Sequence, residues 1–275
     1  MLGKYMKVSI ITITRNNLAG LKKTVASVRA QRVGDVDGSA PDRAPEAGNA
    51  ADNSPLPDIE IEHIVVDGES TDGTVQWLDN QDNIKLVTAS PQGVYHAINR
   101  GMEVAGGDVL MLLHAGDTFT SDSIVQQVAR QFADPSLDFL FGDLHYVDAK
   151  GRTVRRYSGS HGSLEALMHG YAPPHPTLAV RMSTQRSVGQ YSEDYVIAAD
   201  FEMFGRFFCR PDIKYLYLPL DMVEMEAGGI SSSVVSRLWI NNREKLRALR
   251  RCGLPASMPR VLSHYLYIIR NQWKK

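Results

Sequence analysis

The chain has 275 residues, 43% of them hydrophobic, with 30 Lys or Arg against 31 Asp or Glu for a net charge of -1. That is the make-up of a globular α/β-sized protein with a sizeable core. No run approaches the roughly 20 apolar residues that span a bilayer, no signal-peptide layout precedes the strand pattern at Val8, and Cys209 and Cys252 lack metal spacing or a disulfide framework, so a cytoplasmic protein is expected.

Val8 to Thr14 is a β-branched run, followed by Leu18, Leu21, Val25 and Val28 at helical spacing, which predicts a strand and then a helix. Residues 33–57 are dense in Gly, Pro, Ala, Asp and Asn and are expected to form a mobile surface insertion without catalytic weight. Further strands are predicted over 59–66, 84–88 and 109–113, with helices over 74–78, 95–104 and 123–132. Strands alternating with helices imply a mainly parallel, Rossmann-like three-layer sandwich. After Asp138 the pattern turns irregular: strand pieces at 139–141 and 146–147, a helix at 164–168, the loop Pro173-Pro174-His175-Pro176, a helix over 201–208 and a strand over 215–220. Two helices, 236–251 and 260–273, close the chain. From Arg237 onward there are ten Lys or Arg and one acid, Glu244, leaving twenty basic against thirty acidic groups in the body. Such a basic amphipathic tail, interleaved with Trp239, Leu246, Leu249, Leu262 and Trp273, suits an anionic membrane surface better than a nucleic acid; a solvated face covering the core is the alternative.

The chemistry-bearing residues fall at strand ends, where open α/β sheets collect ligands. Strand one ends in Thr12-Ile13-Thr14-Arg15-Asn16-Asn17, strand two in Asp67-Gly68-Glu69-Ser70-Thr71-Asp72-Gly73, and the fourth in His114-Ala115-Gly116-Asp117. There is no G-x-G-x-x-G and no Walker lysine, which argues against a dehydrogenase or a P-loop enzyme. The Gly-rich, Arg-containing loop of a sugar-nucleotidyltransferase is also missing after strand one. Polar groups on these loops suit a base and ribose, while Ser70 and Asp72 equally suit a turn and a helix cap.

The segments VSIITITRNN, IEHIVVDGESTDGT, SPQGVYHAINRGMEVAGGDVLMLLHAGD, PPHPTLAVR and AADFEMFGR, in this order, resemble the family-two glycosyltransferases of bacterial cell-surface polysaccharide assembly. The resemblance covers roughly residues 6–232. It implies a GT-A fold, a nucleotide-diphosphate sugar donor (UDP favoured, GDP or dTDP as alternatives), a divalent metal, Mg2+ or Mn2+, and inversion at the anomeric carbon. It further implies donor contacts from Thr12, Thr14, Arg15, Asn16, Asp67, Ser70, Asp72, Gly93, Asn99, Arg100, His114, Ala115 and Gly116, with Asp117 on the metal. Asp200 matches the catalytic base, with Glu202 and Asp194 as alternatives, and His175 matches a position lining the acceptor pocket. His114 and Gly116 stand where the commonest form of the metal motif has acids, and Gly228-Gly229-Ile230-Ser231 resembles a mobile loop near the diphosphate. The expected layout is a nucleotide-sugar-binding half over 1–120, an acceptor and catalytic half over 121–235 and a basic helical extension over 236–275. The expected activity is sugar transfer to a glycan or polyprenyl-diphosphate-linked acceptor in exopolysaccharide, capsule or lipopolysaccharide synthesis. The rival is a non-catalytic sugar-nucleotide or partner-binding protein on a decayed scaffold of the same family.

Overall fold

A computed structural model describes residues 5–33, 58–227 and 234–272, with side chains in the two closing helices described over 238–265. The expectations for residues 34–57, for Gly228-Gly229-Ile230-Ser231 and for Trp273 lie outside the described residues.

The first half is three βα steps and a fourth strand: β1 (Met6–Thr14), α1 (Leu18–Arg29), β2 (Ile59–Asp67), α2 (Thr74–Leu78), β3 (Ile84–Thr88), α3 (Val94–Val104) and β4 (Val109–Leu112). These strands pair in parallel in the order β3-β2-β1-β4, so the chain steps outward from β1 on one side and then returns to its other side. That reversal makes a crevice at the carboxyl ends of β1 and β4. Thr14, Asp67 and Thr88 stand level in the register there.

The central strands β1 and β4 bury apolar residues on both faces because helices cover both. Val8 and Ile10 of β1, with Val109 and Met111 of β4, pack in one cluster with α4 (Ile124–Gln131). Ile11, Leu110 and Leu112, pointing the other way, join a second cluster containing Ile98 of α3 and the phenylalanines of α7 (Ala199–Phe208). This is the period-two signature of a doubly covered sheet. Gly101 lets α3 approach β1 closely, since a Cβ there would sit 2.6 Å from a methyl of Ile11.

Beyond β4 the sheet continues through β8 (Ala179–Arg181), β6 (Phe139–Val147), β9 (Tyr215–Glu226) and β5 (Thr118–Phe119), with β7 (Thr153–Tyr157) on β6. Here only β6 and β9 pair in parallel, and the other contacts are antiparallel. The two strand pieces expected at 139–141 and 146–147 are one strand. The register against β9 shifts around Asp143, and Gly142 runs so close to β9 that a Cβ would fall 2.6 Å from the Met222 sulfur. A bulge of this kind breaks the sequence pattern without ending the strand. The rest of this half holds α5 (Leu164–Met168), a 3-10 turn (His175–Thr177) and α6 (Met182–Val188). Phe139 stacks on Phe207 with ring centroids 4.8 Å apart, joining β6 to α7.

The two closing helices, α8 (Val234–Arg251) and α9 (Met258–Gln272), are part of this packed body. Ala248, Leu249 and Val261 are buried in the cluster that holds α7. Glu244 accepts the backbone N–H groups of Val196, Ile197 and Ala198 at 2.8, 2.9 and 2.9 Å, fixing the turn from which α7 starts. Among the described residues, no helix is long and apolar enough to cross a membrane.

Candidate active site

The loops after β1 and β2 are tied to each other by side chains. Asn16, at φ +49°, donates its N–H to Ser70 Oγ (2.8 Å) and accepts the Thr71 N–H on Oδ1 (2.7 Å). Asp72 accepts the Leu18 N–H (3.0 Å) and the Thr74 N–H (3.1 Å), one on each carboxylate oxygen. Ser70 and Asp72 therefore build the loop pair, as their turn and cap chemistry suggests. The turn 114–117 is fastened to α1: Asn17 Nδ2 donates to the Ala115 carbonyl (2.9 Å), and Thr24 Oγ1 accepts the Gly116 N–H (3.0 Å) and donates to the Asp117 carbonyl (2.8 Å). Gly116 takes φ +109°, which an acidic residue would adopt only with strain.

These loops enclose unsatisfied polar atoms. Of seven buried side-chain atoms without a hydrogen-bond partner among the described residues, four are Thr14 Oγ1, Asp67 Oδ1, His114 Nδ1 and Asp117 Oδ2. All four lie at the carboxyl ends of β1, β2 and β4. Leaving a buried polar atom unpaired costs about 1–3 kcal/mol, so their concentration at one edge marks a place built for a ligand.

Two cavities meet at this edge. One, of about 420 Å3, is lined by Thr14, Arg15, Gly68, Ser90, Gly93 and His114, among others. The second, of about 410 Å3, is lined by His114, His175, Asp200, Tyr95, Tyr157 and Lys245, among others. Val94 and His114 line both, so the two cavities adjoin at these residues.

Burial sets the charges of these groups. It pushes His114 down to about 3, with the neighbouring His175 adding to the effect, and His175 itself down to about 4; both imidazoles are neutral at pH 7. His175 Nε2 shares a hydrogen bond with the Tyr191 hydroxyl at 2.8 Å. Burial raises Asp200 above the usual carboxylate range, against the Phe201 N–H, the Lys245 ammonium and the Tyr95 hydroxyl, which favour its ionised form. Among the described residues its hydrogen bonds reach Oδ1 alone, from the Phe201 N–H at 2.7 Å and the Tyr95 hydroxyl at 3.5 Å. Glu202 is spent on Arg206 (3.0 Å) and the exposed Asp194 pairs with Arg251 (3.5 Å). Asp200 is the acid of the three that faces the cavity.

Asp117 is 7% exposed, and burial pushes its carboxyl up to about 7, with Glu226 contributing. Among the described residues there is no group of three or more His, Cys, Asp or Glu able to hold a cation. The donor set is thus one buried carboxylate with an unpartnered oxygen, on the same turn as a neutral imidazole. That fits a cation whose other ligands come from phosphate oxygens and water.

Other expected contacts are not brought together. Thr12 is buried inside the sheet with its hydroxyl 2.9 Å from His63 Nε2. Asn99 is buried under the loop 191–193, donating to the Tyr191 carbonyl at 2.8 Å and accepting its N–H at 2.9 Å. Arg100 turns outward to pair with Glu103 on its own helix.

A model of the family described as glycosyl transferase family 2 matches residues 9–188. The chain belongs to glycosyl transferase family 2. This family-2 glycosyltransferase is 31% identical over 216 residues to the uncharacterized glycosyltransferase Rv1514c of Mycobacterium tuberculosis, covering 74% of this chain and 70% of the relative. It is 27% identical over 189 residues to a PGL/p-HBAD biosynthesis glycosyltransferase of Mycobacterium bovis, covering 66% of this chain and 72% of that one. Its fold matches S. aureus TarS 1–349 in complex with UDP-GlcNAc at TM-score 0.63 and 17% identity, over 95% of this chain and 72% of that chain. It also matches the mannosyltransferase PcManGT of Pyrobaculum calidifontis in complex with GDP-Man and Mn2+ at TM-score 0.60 and 14% identity, over 94% and 69%. Against the longer TarS chain the glycosyltransferase spans 43% of that chain. The enzyme thus has the GT-A fold.

Ser90, Asn241 and Lys245 line the cavities without having been expected there. The signal for Lys245 was present: it lies three and four residues before the buried Ala248 and Leu249, on the same helical stripe. A composition count of the tail hides it among solvent-facing arginines.

Proposed function

We propose that the enzyme is an inverting, metal-assisted glycosyltransferase that moves a sugar from a nucleoside-diphosphate donor to a glycan or polyprenyl-diphosphate-linked acceptor of the cell surface. The observation that carries this reading is the junction at His114, where a cavity lined by Thr14 and His114, each with an unsatisfied side-chain atom, adjoins one lined by Asp200. Nucleoside and diphosphate lie against Thr14, Arg15, Gly68, Ser90 and Gly93, with Asp67 behind them. The acceptor lies between His175 and Asp200. Asp200 takes the proton of the acceptor hydroxyl as its oxygen forms the new bond to the anomeric carbon, and the bond to the diphosphate oxygen breaks on the opposite face, which inverts the centre. Asp117 would hold Mg2+ or Mn2+ together with the diphosphate, and the cation supplies charge neutralisation of the leaving group. Residues 1–120 then serve the donor and 121–235 the acceptor, with α8 closing the acceptor side. The nucleotide sugars in TarS and PcManGT support a UDP or GDP donor.

Calorimetric titration with UDP-, GDP- and dTDP-sugars, in Mg2+ or Mn2+ and then in EDTA, tests the donor half. One donor should bind with metal dependence. Binding of none would favour a decayed scaffold.

The acceptor class also predicts membrane contact. Leu238, Trp239 and Ile240 stand 42%, 58% and 38% exposed on α8, beside a groove of about 540 Å3 that Arg243, Arg247 and Arg250 line. Apolar groups flanked by arginines fit an anionic headgroup surface at the inner face of the cytoplasmic membrane. The enzyme should co-sediment with phosphatidylglycerol-containing vesicles and not with phosphatidylcholine alone. Trp239→Ser should weaken this by roughly tenfold. Equal binding by the two proteins would remove α8 from the contact.

A further inference from the structure

Lys245 has the surroundings of a functional group rather than a surface one. Its side chain enters the acceptor cavity from α8, where Asp200 enters from α7. The Nζ donates to the Gly170 carbonyl at 2.7 Å and lies 5.3 Å from the centre of the Phe201 ring, the residue next to Asp200. Gly170 is a firm anchor: at φ +82°, just past α5, its backbone is pressed so closely on α9 that a Cβ would fall 2.4 Å from the Val261 carbonyl. A lysine held by one carbonyl and one ring face is poorly compensated for leaving water, and burial lowers it to about 8, with Asp200 pulling the other way.

The groups facing Asp200 leave its charge balance to this residue. From α3 comes the neutral Tyr95 hydroxyl, and Tyr157 of β7 and Tyr191 of the loop after α6 are phenols that burial keeps protonated. His175 from the 3-10 turn and His114 from the end of β4 are neutral. Glu244, one residue from Lys245, has its carboxylate committed to the three N–H groups before α7. Lys245 is the cation in this set.

We propose that Lys245 is a positioning residue for the base: its ammonium, fixed by Gly170 and Phe201 at the wall of the acceptor cavity, favours the ionised form of the Asp200 carboxyl and so its readiness to accept a proton. This rests on the assignment of Asp200 as base, yet it can fail separately. Among the described residues the two groups form no direct ion pair, so the ammonium acts through the cavity that both line, where burial strengthens the effect of a charge.

The test needs no substrate. In the full chain carrying 13Cγ-labelled aspartate, the carboxyl resonance absent from Asp200→Asn is followed against pH in wild type, Lys245→Met and Lys245→Arg. Lys245→Met should raise its midpoint by about one pH unit, the lower end of what a nearby opposite charge does to a carboxyl, while Lys245→Arg should leave it near the wild-type value. If Lys245→Met does not fold, Lys245→Gln keeps a donor for the Gly170 carbonyl, removes the charge and should raise the midpoint in the same way. An unmoved midpoint in the folded neutral variant overturns the proposal. Turnover of Asp200→Asn judges the base assignment by itself: an inactive Asp200→Asn with an unmoved midpoint in Lys245→Met sinks Lys245 alone.

Discussion

Asp200→Asn is expected to lower sugar transfer by about 10^2- to 10^4-fold while donor binding persists. Asparagine can still accept the Phe201 N–H and the Tyr95 hydroxyl on its amide oxygen, so the local hydrogen bonds survive and only the proton-accepting function is removed. The wild-type rate should rise with pH through a limb displaced above the ordinary carboxylate range, because burial raises Asp200 and the base works only when ionised. Stability has the opposite sign. An acid raised in the folded state destabilises it once pH exceeds the unfolded value, so Asp200→Asn should melt no lower than wild type at neutral pH. A folded Asp200→Asn that transfers sugar at the wild-type rate would return the base role to another acid.

The second large effect concerns Asp117. Its carboxyl rises from 3.8 to about 7, chiefly through burial, so the folded state takes up a proton that the unfolded chain releases. The cost is absent below about pH 4, grows between 4 and 7 and is complete above 7. In EDTA at pH 8, Asp117→Asn should therefore stabilise the protein by roughly 2–4 kcal/mol, the range set by a shift of this size. The same substitution should abolish the metal dependence of donor binding. A variant that is both more stable and unable to use metal is the signature of a buried carboxylate kept for a ligand. Loss of stability at pH 8, or unchanged metal dependence, would assign Asp117 to the fold alone.

The strand-end loops of the first half were legible because they are local. A β-branched run, a polar loop and a helical stripe follow one another within about twenty residues at β1 and β2, and the register then aligns the loop ends without further information. What was not legible depends on the direction in which a helix presents its residues. Asn99 and Arg100 follow Tyr95 on the same helix, yet α3 turns Asn99 into the 191–193 loop and Arg100 toward Glu103. Lys245 was hidden by the opposite effect, since ten basic residues in the tail read as one surface, for a membrane or for solvent, until α7 and the 164–170 segment are packed against it. The antiparallel half was obscured by its short strands, β5 and β8, whose pairing is decided by distant partners. Gly116 is understood from the turn: φ +109° disfavours an acid there, so the reduction to one carboxylate goes with the backbone.

The match to the family ends at residue 188, whereas Asp200, the carboxylate clamp of Glu244 and the ammonium of Lys245 all come later. On the proposed division, the loops for the donor are held by β1, β2, β4 and α1 inside the matched segment, while the proposed base and its neighbours stand beyond it. A fragment cut at residue 188 would take β9 away from β6 and the phenylalanines of α7 out of the core, so the matched segment depends on the unmatched one for its fold.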